Sequence, residues 1–152
     1  MERLEEDFGI IDWWKKVVLE NYANFEGRAR RKEFWMFQLI NVLVIFIGMF
    51  LFAVISGSVK NSSSEFALIP LGLLVLYLLL IFLPALAVTI RRLHDTNRSG
   101  WYYLLSFIPY AGGIIMLIFY VSEGTVGPNQ YGYDPKRPTQ NNEIDEIGQI
   151  QE

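Results

Sequence analysis

The amino-acid sequence predicts an all-α polytopic membrane protein, with three transmembrane helices preceded by an amphipathic interfacial helix. Composition is the first reason: 152 residues that are 52% hydrophobic and 15% aromatic are richer in apolar side chains than an ordinary soluble domain of that size. The second is segregation. No charged residue lies in Phe34–Val59, Phe66–Ile90 or Ser99–Ser122, and each run exceeds the roughly 20 residues that a helix needs to cross about 30 Å of hydrocarbon. Third, these runs are apolar nearly all round, whereas the helices of a soluble bundle keep a polar face. The expected organisation is a cytoplasmic segment 1–33, a membrane domain 34–122 with spans over 34–58, 66–90 and 100–121, and a polar tail 123–152. From Thr139 the tail reads TQNNEIDEIGQIQE, polar enough to stay disordered.

The opening MERLEEDFGI is acidic and offers no short apolar core followed by a small-residue cleavage site, so the first span is expected to act as its own insertion signal. Ile10, Ile11, Trp14, Val17, Val18 and Tyr22 then recur at helical spacing, with Asp12, Lys15, Lys16 and Glu20 in the gaps. Such a segment fits two placements: flat in the interface with its aromatic face in lipid, or folded back on the loops.

Charge sets the threading. Lys15, Lys16, Arg28, Arg30, Arg31, Lys32, Arg91, Arg92 and Arg98 flank the spans in two regions that a hairpin of spans one and two brings to a single face. The positive-inside rule makes that face, and the N-terminus, cytoplasmic. The loop SGSVKNSSSE is short and polar, as an outside turn should be. Asn-x-Ser matches at Asn61 and Asn97 carry meaning only in a eukaryotic secretory pathway. RRKEFW and RSGW both place arginine just before tryptophan where a span leaves the cytoplasm, an anchoring signature of the headgroup region. Asn97 or Ser99 is placed to cap the third span.

That third span contains IPYAGG, in which Pro109 removes a backbone donor and Gly112 and Gly113 loosen the helix. One kinked span is preferred to a re-entrant pair, which would return the tail to the cytoplasm. With a single crossing the tail lies outside, where its acidic residues Glu123, Asp134, Glu143, Asp145, Glu146 and Glu152 are tolerable.

Three stretches carry the chemistry: FEGRARRKEFW, LPALAVTIRRLHDTNRSGW and GTVGPNQYGYDP. Together, in order and spacing, they resemble the bacterial domain-of-unknown-function family 805, small inner-membrane proteins with an aromatic-Gly-Arg motif before the first span, an Arg-Arg-Leu-His-Asp loop and an Asn-x-Tyr-Gly motif after the last. The resemblance covers roughly Tyr22 to Pro135 and implies bacterial inner-membrane location and topology. It implies no activity.

His94 and Asp95 invite a metal or hydrolase reading, but His94 is the single histidine and there is no cysteine, so no metal or cofactor is expected. Ser99, His94 and Asp95 are too close in sequence for a triad. A structural role is expected instead for His94, Asp95, Trp101, Asn129, Tyr131 and Gly132, with Asp95 paired to an arginine of its own loop or of GRARRK and His94 bonded to nearby backbone. GTVGPNQYGYDP lacks the Gly-Lys-Ser/Thr ending of a phosphate loop. Arg28, Arg30, Arg31, Arg91, Arg92 and Arg98 form a candidate site for anionic lipid headgroups, because the guanidinium fork suits phosphate oxygens. Within the spans Gln38, Asn41 and Gly48 share one face, and Tyr77 and Pro84 lie two turns apart, which marks the helix interface. No charged residue sits within a span, which counts against proton-coupled transport, and the formal net charge of -3 counts against nucleic acid as a partner. The expected function is membrane binding or scaffolding through the arginine-rich face, toward lipid or a protein partner. A subunit of an oligomeric small-solute channel or transporter ranks second and a membrane enzyme third.

Overall fold

The computed structural model describes residues 8–58 and 65–137. Its elements are α1 (Ile10–Lys15), continued by a π-helical turn Lys16–Glu20, α2 (Arg31–Ser58), α3 (Glu65–Asp95), a 3-10 segment Gly100–Phe107, and α4 (Ala111–Val121). The stretch from Thr139 that was expected to be disordered lies outside the described residues.

α2 and α3 are 28 and 31 residues long, about 42 and 46 Å, and each is long and apolar enough to cross a membrane. They form an antiparallel pair that is packed unevenly along its length. Among the described side chains, the buried ones of α2 lie between Glu33 and Asn41 and those of α3 between Ile81 and Asp95. Between them sits a core of Val17, Ala29, Phe34, Phe37, Ile81 and Val88, edged by Trp14, Val18, Tyr77, Ala85 and Tyr120. The far halves of both helices expose large apolar side chains such as Phe46, Phe50, Leu73 and Leu79.

Small and polar residues join the two helices where bulky ones would hold them apart. The Tyr77 hydroxyl donates to Asn41 Oδ1, while Asn41 Nδ2 donates to Phe37 O at 2.8 Å. Gly48 faces Leu74 so closely that an added Cβ would lie 3.0 Å from Leu74 Cδ1. Pro84 is fully buried; Gln38 is half-buried.

Pro84 has a second consequence. Lacking an N–H, it leaves the carbonyl four residues earlier without its helical partner, and that carbonyl, Leu80 O, accepts instead from the Tyr22 hydroxyl at 2.6 Å. Tyr22→Phe is therefore expected to cost about 0.5–1.5 kcal/mol, the net worth of one hydrogen bond, read as a lower denaturation midpoint in micelles. In a Pro84→Ala background the new N–H reaches Leu80 O, and the same tyrosine substitution should cost clearly less. Equal costs in both backgrounds would show that Tyr22 acts through packing alone.

α1 folds back on the start of α2, burying Trp13 and Val17 and leaving Ile10, Ile11 and Leu19 exposed. The apolar stripe expected from spacing is thus divided. The π-helical turn, in which Asn21 N reaches Lys16 O, inserts extra residues and rotates the chain beyond it. Trp13, absent from the expected stripe, is drawn inward between two cations, with Lys16 and Arg30 5.4 and 5.3 Å from its ring centroid.

The continuous third span does not form. The chain descends as the 3-10 segment, turns through Ile108–Tyr110, and returns as α4, a hairpin with arms of about 16 Å each. Tyr110 holds a positive φ of 65° at the turn. Gly112 N closes it on Ile108 O at 2.9 Å, and a Cβ at Gly112 would collide with the backbone carbonyls of Leu105 and Ser106. A kink at Pro109 needs only a missing donor. The hairpin also needs a residue without a side chain where its arms cross, and Gly112 is that residue. Both arms end beside the same turn of α3, so residues 122–137 emerge at the arginine-bearing end and not, as expected for one crossing, at the opposite end.

Candidate functional site

The site is built around the last turn of α3. That helix stops in a Schellman arrangement: Asn97, at φ 57°, sends its N–H to His94 O at 2.9 Å, and Arg98 N reaches Leu93 O at 3.0 Å. The reversal leaves Arg91, Arg92, His94 and Asp95 on the final turn, where the chain around Arg28 and the segment after α4 close over them.

Asp95 is the centre, its side chain 3% exposed and paired with Arg28 Nη2 at 3.0 Å and with Arg92 Nη1. The remaining donors of both guanidiniums go to backbone carbonyls. Arg28 Nη1 donates to Gly127 O at 2.7 Å and Nη2 to Thr125 O. Arg92 Nε donates to Tyr120 O at 3.2 Å and Nη2 to Ser122 O. Helix α4 ends with orphaned carbonyls and a partial negative charge, so a buried arginine is a suitable terminus for it. Arg31 adds a bond to Val121 O at 3.0 Å. Thr125 N closes the ring on Asp95 O at 2.9 Å.

His94 lies on the same turn but faces elsewhere. Its Nδ1 meets Gly27 O at 3.2 Å, and its ring stacks on Tyr131, 3.8 Å between centroids and 1° between planes. Asn129 Nδ2 donates to His94 O at 3.0 Å, and Asn129 and Gly132 pair their backbones, each N–H at 3.0 Å from the other's carbonyl. Asp95 therefore does not orient the His94 imidazole, and the two do not form a catalytic dyad in this arrangement. Ser99 Oγ accepts from Trp101 N at 3.4 Å, capping the 3-10 segment. Among the described residues no group of three His, Asp or Glu side chains is arranged for a metal.

The six arginines singled out from the sequence separate into two sets. Arg28, Arg91 and Arg92 are buried at 8%, 3% and 0% exposure and turned inward, Arg28 and Arg92 to Asp95 and Arg91 to Glu33, so their forks do not face a headgroup. Arg30, Arg31 and Arg98 are half-buried at the rim, with Arg98 4.2 Å over the Phe119 ring and Arg31 paired to Glu123 at 2.8 Å. Glu123 also meets Lys136 Nζ at 3.0 Å; these cations, Lys136 first, hold its carboxyl below the usual range. A cavity of about 280 Å³ opens here, lined by Arg28, Asp95, Glu123, Thr125, Lys136 and Arg137. Trp101 stands exposed at the head of the 3-10 segment and takes no part in this network.

Three contributors escaped the sequence reading. Glu33, its side chain 1% exposed, lies 2.8 Å from Arg91 Nη2 and 3.5 Å from Lys16 Nζ. Asp134 is buried and accepts from Gly127 N at 3.3 Å and Lys136 N at 2.9 Å. Gly124 passes so close to Asp95 that a Cβ would overlap its carboxylate. A lone carboxylate at the foot of an apolar run was the available signal for Glu33. Nothing local marks Gly124.

The segments that meet here, from Tyr22 to Tyr133, are also those matched by the family model described as "Protein of unknown function (DUF805)", over residues 22–133. The chain belongs to this family. This DUF805 protein is 48% identical over 124 residues to "Inner membrane protein YhaI" of Escherichia coli (strain K12), covering 81% of the chain and 95% of that protein. It is 44% identical over 127 residues to "Inner membrane protein YhaH" of the same strain, covering 83% and 98%. "Uncharacterized protein YiiR", also of that strain, is 29% identical over 136 residues, covering 73% and 85%. No solved structure matches the DUF805 chain. With two apolar helices of spanning length and relatives named as inner membrane proteins, it is an integral inner-membrane protein.

Proposed function

We propose that this protein is a membrane-embedded binding or scaffolding protein whose arginine-bearing end faces the cytoplasm and engages anionic lipid headgroups. In this reading α2 and α3 cross the bilayer, and the hairpin of residues 100–121 enters only the cytoplasmic leaflet. Residues 122–137 then return to the cytoplasm. The observation that carries the reading is the convergence of the chain before α2, the end of α3 and the chain after α4 on Asp95. It supports a fixed polar platform at one end of an apolar rod, and the buried arginines are its internal ties. Cations at its rim, Lys32 and Lys136 exposed and Arg98 half-buried, stand at the height where phosphates lie, with Lys136 sharing the Glu123 carboxylate with Arg31.

The chain contains no cysteine, so single cysteines at Ser62, Thr96 and Arg137 report its topology through an impermeant reagent. Position 62 should label in intact spheroplasts, and positions 96 and 137 only after permeabilisation. Labelling of 137 without permeabilisation would defeat the proposed threading. On the same preparations, replacing Lys32, Arg98 and Lys136 together by glutamine should lower the anionic phospholipid retained in native mass spectrometry. Unchanged retention would remove the headgroup role.

A further inference from the structure

The uneven packing of α2 and α3 has a consequence for the bilayer. At the arginine-bearing end the pair is flanked by α1, the 3-10 segment and α4, and among the described side chains the buried ones of the pair belong to that end. Over 42–57 of α2 and 68–80 of α3 no described side chain is buried, and Phe46, Phe50, Leu73 and Leu79 stand exposed there. The hairpin arms of about 16 Å reach roughly half of a 30 Å hydrocarbon layer. Their outward faces are apolar: Phe107 is 74% exposed, Leu104 53%, Ile114 64% and Ile118 56%.

We infer that the protein is a one-leaflet wedge, fitted to a lipid surface that is convex on the side of its arginine-bearing end. The inference rests on the hairpin topology proposed above. A helix is about 10 Å across and displaces roughly its own cross-section of lipid. Four segments in one leaflet over two in the other make the molecule about twice as wide at one end. A flat bilayer must compress lipid beside the wide end or fill space under the hairpin. A membrane that already curves away from that end provides the extra area without either, which is how one-sided insertion becomes curvature-sensitive.

Lipid, not a second copy, is the occupant of the hairpin's outer face. Helix contacts within membranes favour stretches of small residues that let backbones approach. Gly112 and Gly48 are already used against Leu105, Ser106 and Leu74 inside one molecule, and Gly113, the one hairpin glycine left open, stands among the bulky exposed Leu104, Phe107, Ile114 and Ile118. The Arg98 guanidinium and the exposed Trp101 stand at the hairpin base, the pairing that anchors a segment at the headgroup boundary.

The test uses the full chain carrying Thr96→Cys and Arg137→Cys, labelled with a fluorophore at both positions. It is reconstituted in both orientations into phosphatidylethanolamine and phosphatidylglycerol vesicles, small sonicated and large extruded ones. An impermeant quencher then distinguishes molecules whose labelled end faces outward, and imaging of single vesicles gives the density of each orientation. Outward-facing molecules should be about twofold or more denser in small vesicles than in large ones, and inward-facing molecules less dense. Equal densities for the two orientations, or enrichment of the inward-facing one, overturn the wedge. Failure of the topology is seen separately: both labels of a molecule are quenched together if residues 100–121 form a hairpin, and only one if they cross. Dimers that hide the hairpin would give up to four bleaching steps, against two for one doubly labelled chain, without sorting by vesicle size, which also overturns the inference.

Discussion

Asp95→Ala is expected to lower stability by about 3–5 kcal/mol, because it removes the carboxylate that compensates two buried guanidiniums. Against a total of about 5–15 kcal/mol for an ordinary domain, such a loss should show as a much lower denaturation midpoint in micelles and little full-length protein in the membrane fraction. Arg28 and Arg92 keep their carbonyl partners in the variant, but two like charges then face each other without a counter-ion. Arg92→Met should cost less, since Asp95 remains paired to Arg28 at 3.0 Å. Gly124 sharpens the comparison: its backbone is pressed against the Asp95 carboxylate, so alanine also opens a void under the returning chain. Adding Arg92→Met to Asp95→Ala removes one of the two uncompensated charges and should recover part of the loss. If Asp95→Ala unfolds at the native midpoint, the network does not hold these segments together.

Much of the architecture is legible in the sequence, because a bilayer asks little of a helix beyond apolar length. The charge-free runs before and after residue 60 become α2 and α3. Of the residues conspicuous as small or polar in lipid, Asn41 bonds Tyr77 and Gly48 meets Leu74 across those helices, while Pro84 is buried and Gln38 half-buried. The weak point at IPYAGG is legible too, but its outcome is not. Whether the chain kinks or reverses depends on what awaits the carbonyls at the end of α4, and the answer is Arg31 and Arg92, far away in sequence. The arginines mislead for a related reason. The positive-inside rule explains which side they occupy but not whether they are solvated. The burial of Arg28 and Arg92 depends on carbonyl acceptors in residues 120–132 and that of Arg91 on Glu33, partners that no local pattern reveals.

Glu33→Ala is expected to be comparably destabilising, about 3–5 kcal/mol, although in the run RRKEFW only its place as a lone carboxylate at the foot of an apolar run sets this residue apart from a surface charge. Its side chain is 1% exposed, and Arg91, 4% exposed, meets it at 2.8 Å. The Arg91 Nε and Nη2 atoms find no aligned hydrogen-bond acceptor even with the glutamate present, so Coulombic attraction is the main compensation for burying that charge. Lys16 contributes less, at 3.5 Å and 17% exposure, and Lys16→Met should be mild. Its contact nonetheless couples the site to α1, which Glu33 helps to hold against α2. In Glu33→Ala, tryptic cleavage after Lys15 and Lys16 should accelerate before global unfolding. Lost packing and uncompensated charge are separated by Glu33→Leu combined with Arg91→Leu, since an apolar pair of similar volume is commonly neutral or better than a buried ion pair. Recovery of the midpoint in the double variant assigns the cost to the stranded guanidinium. A double variant as unstable as Glu33→Ala would assign it to packing, and would show that the ion pair contributes little to holding α1 and α2 together.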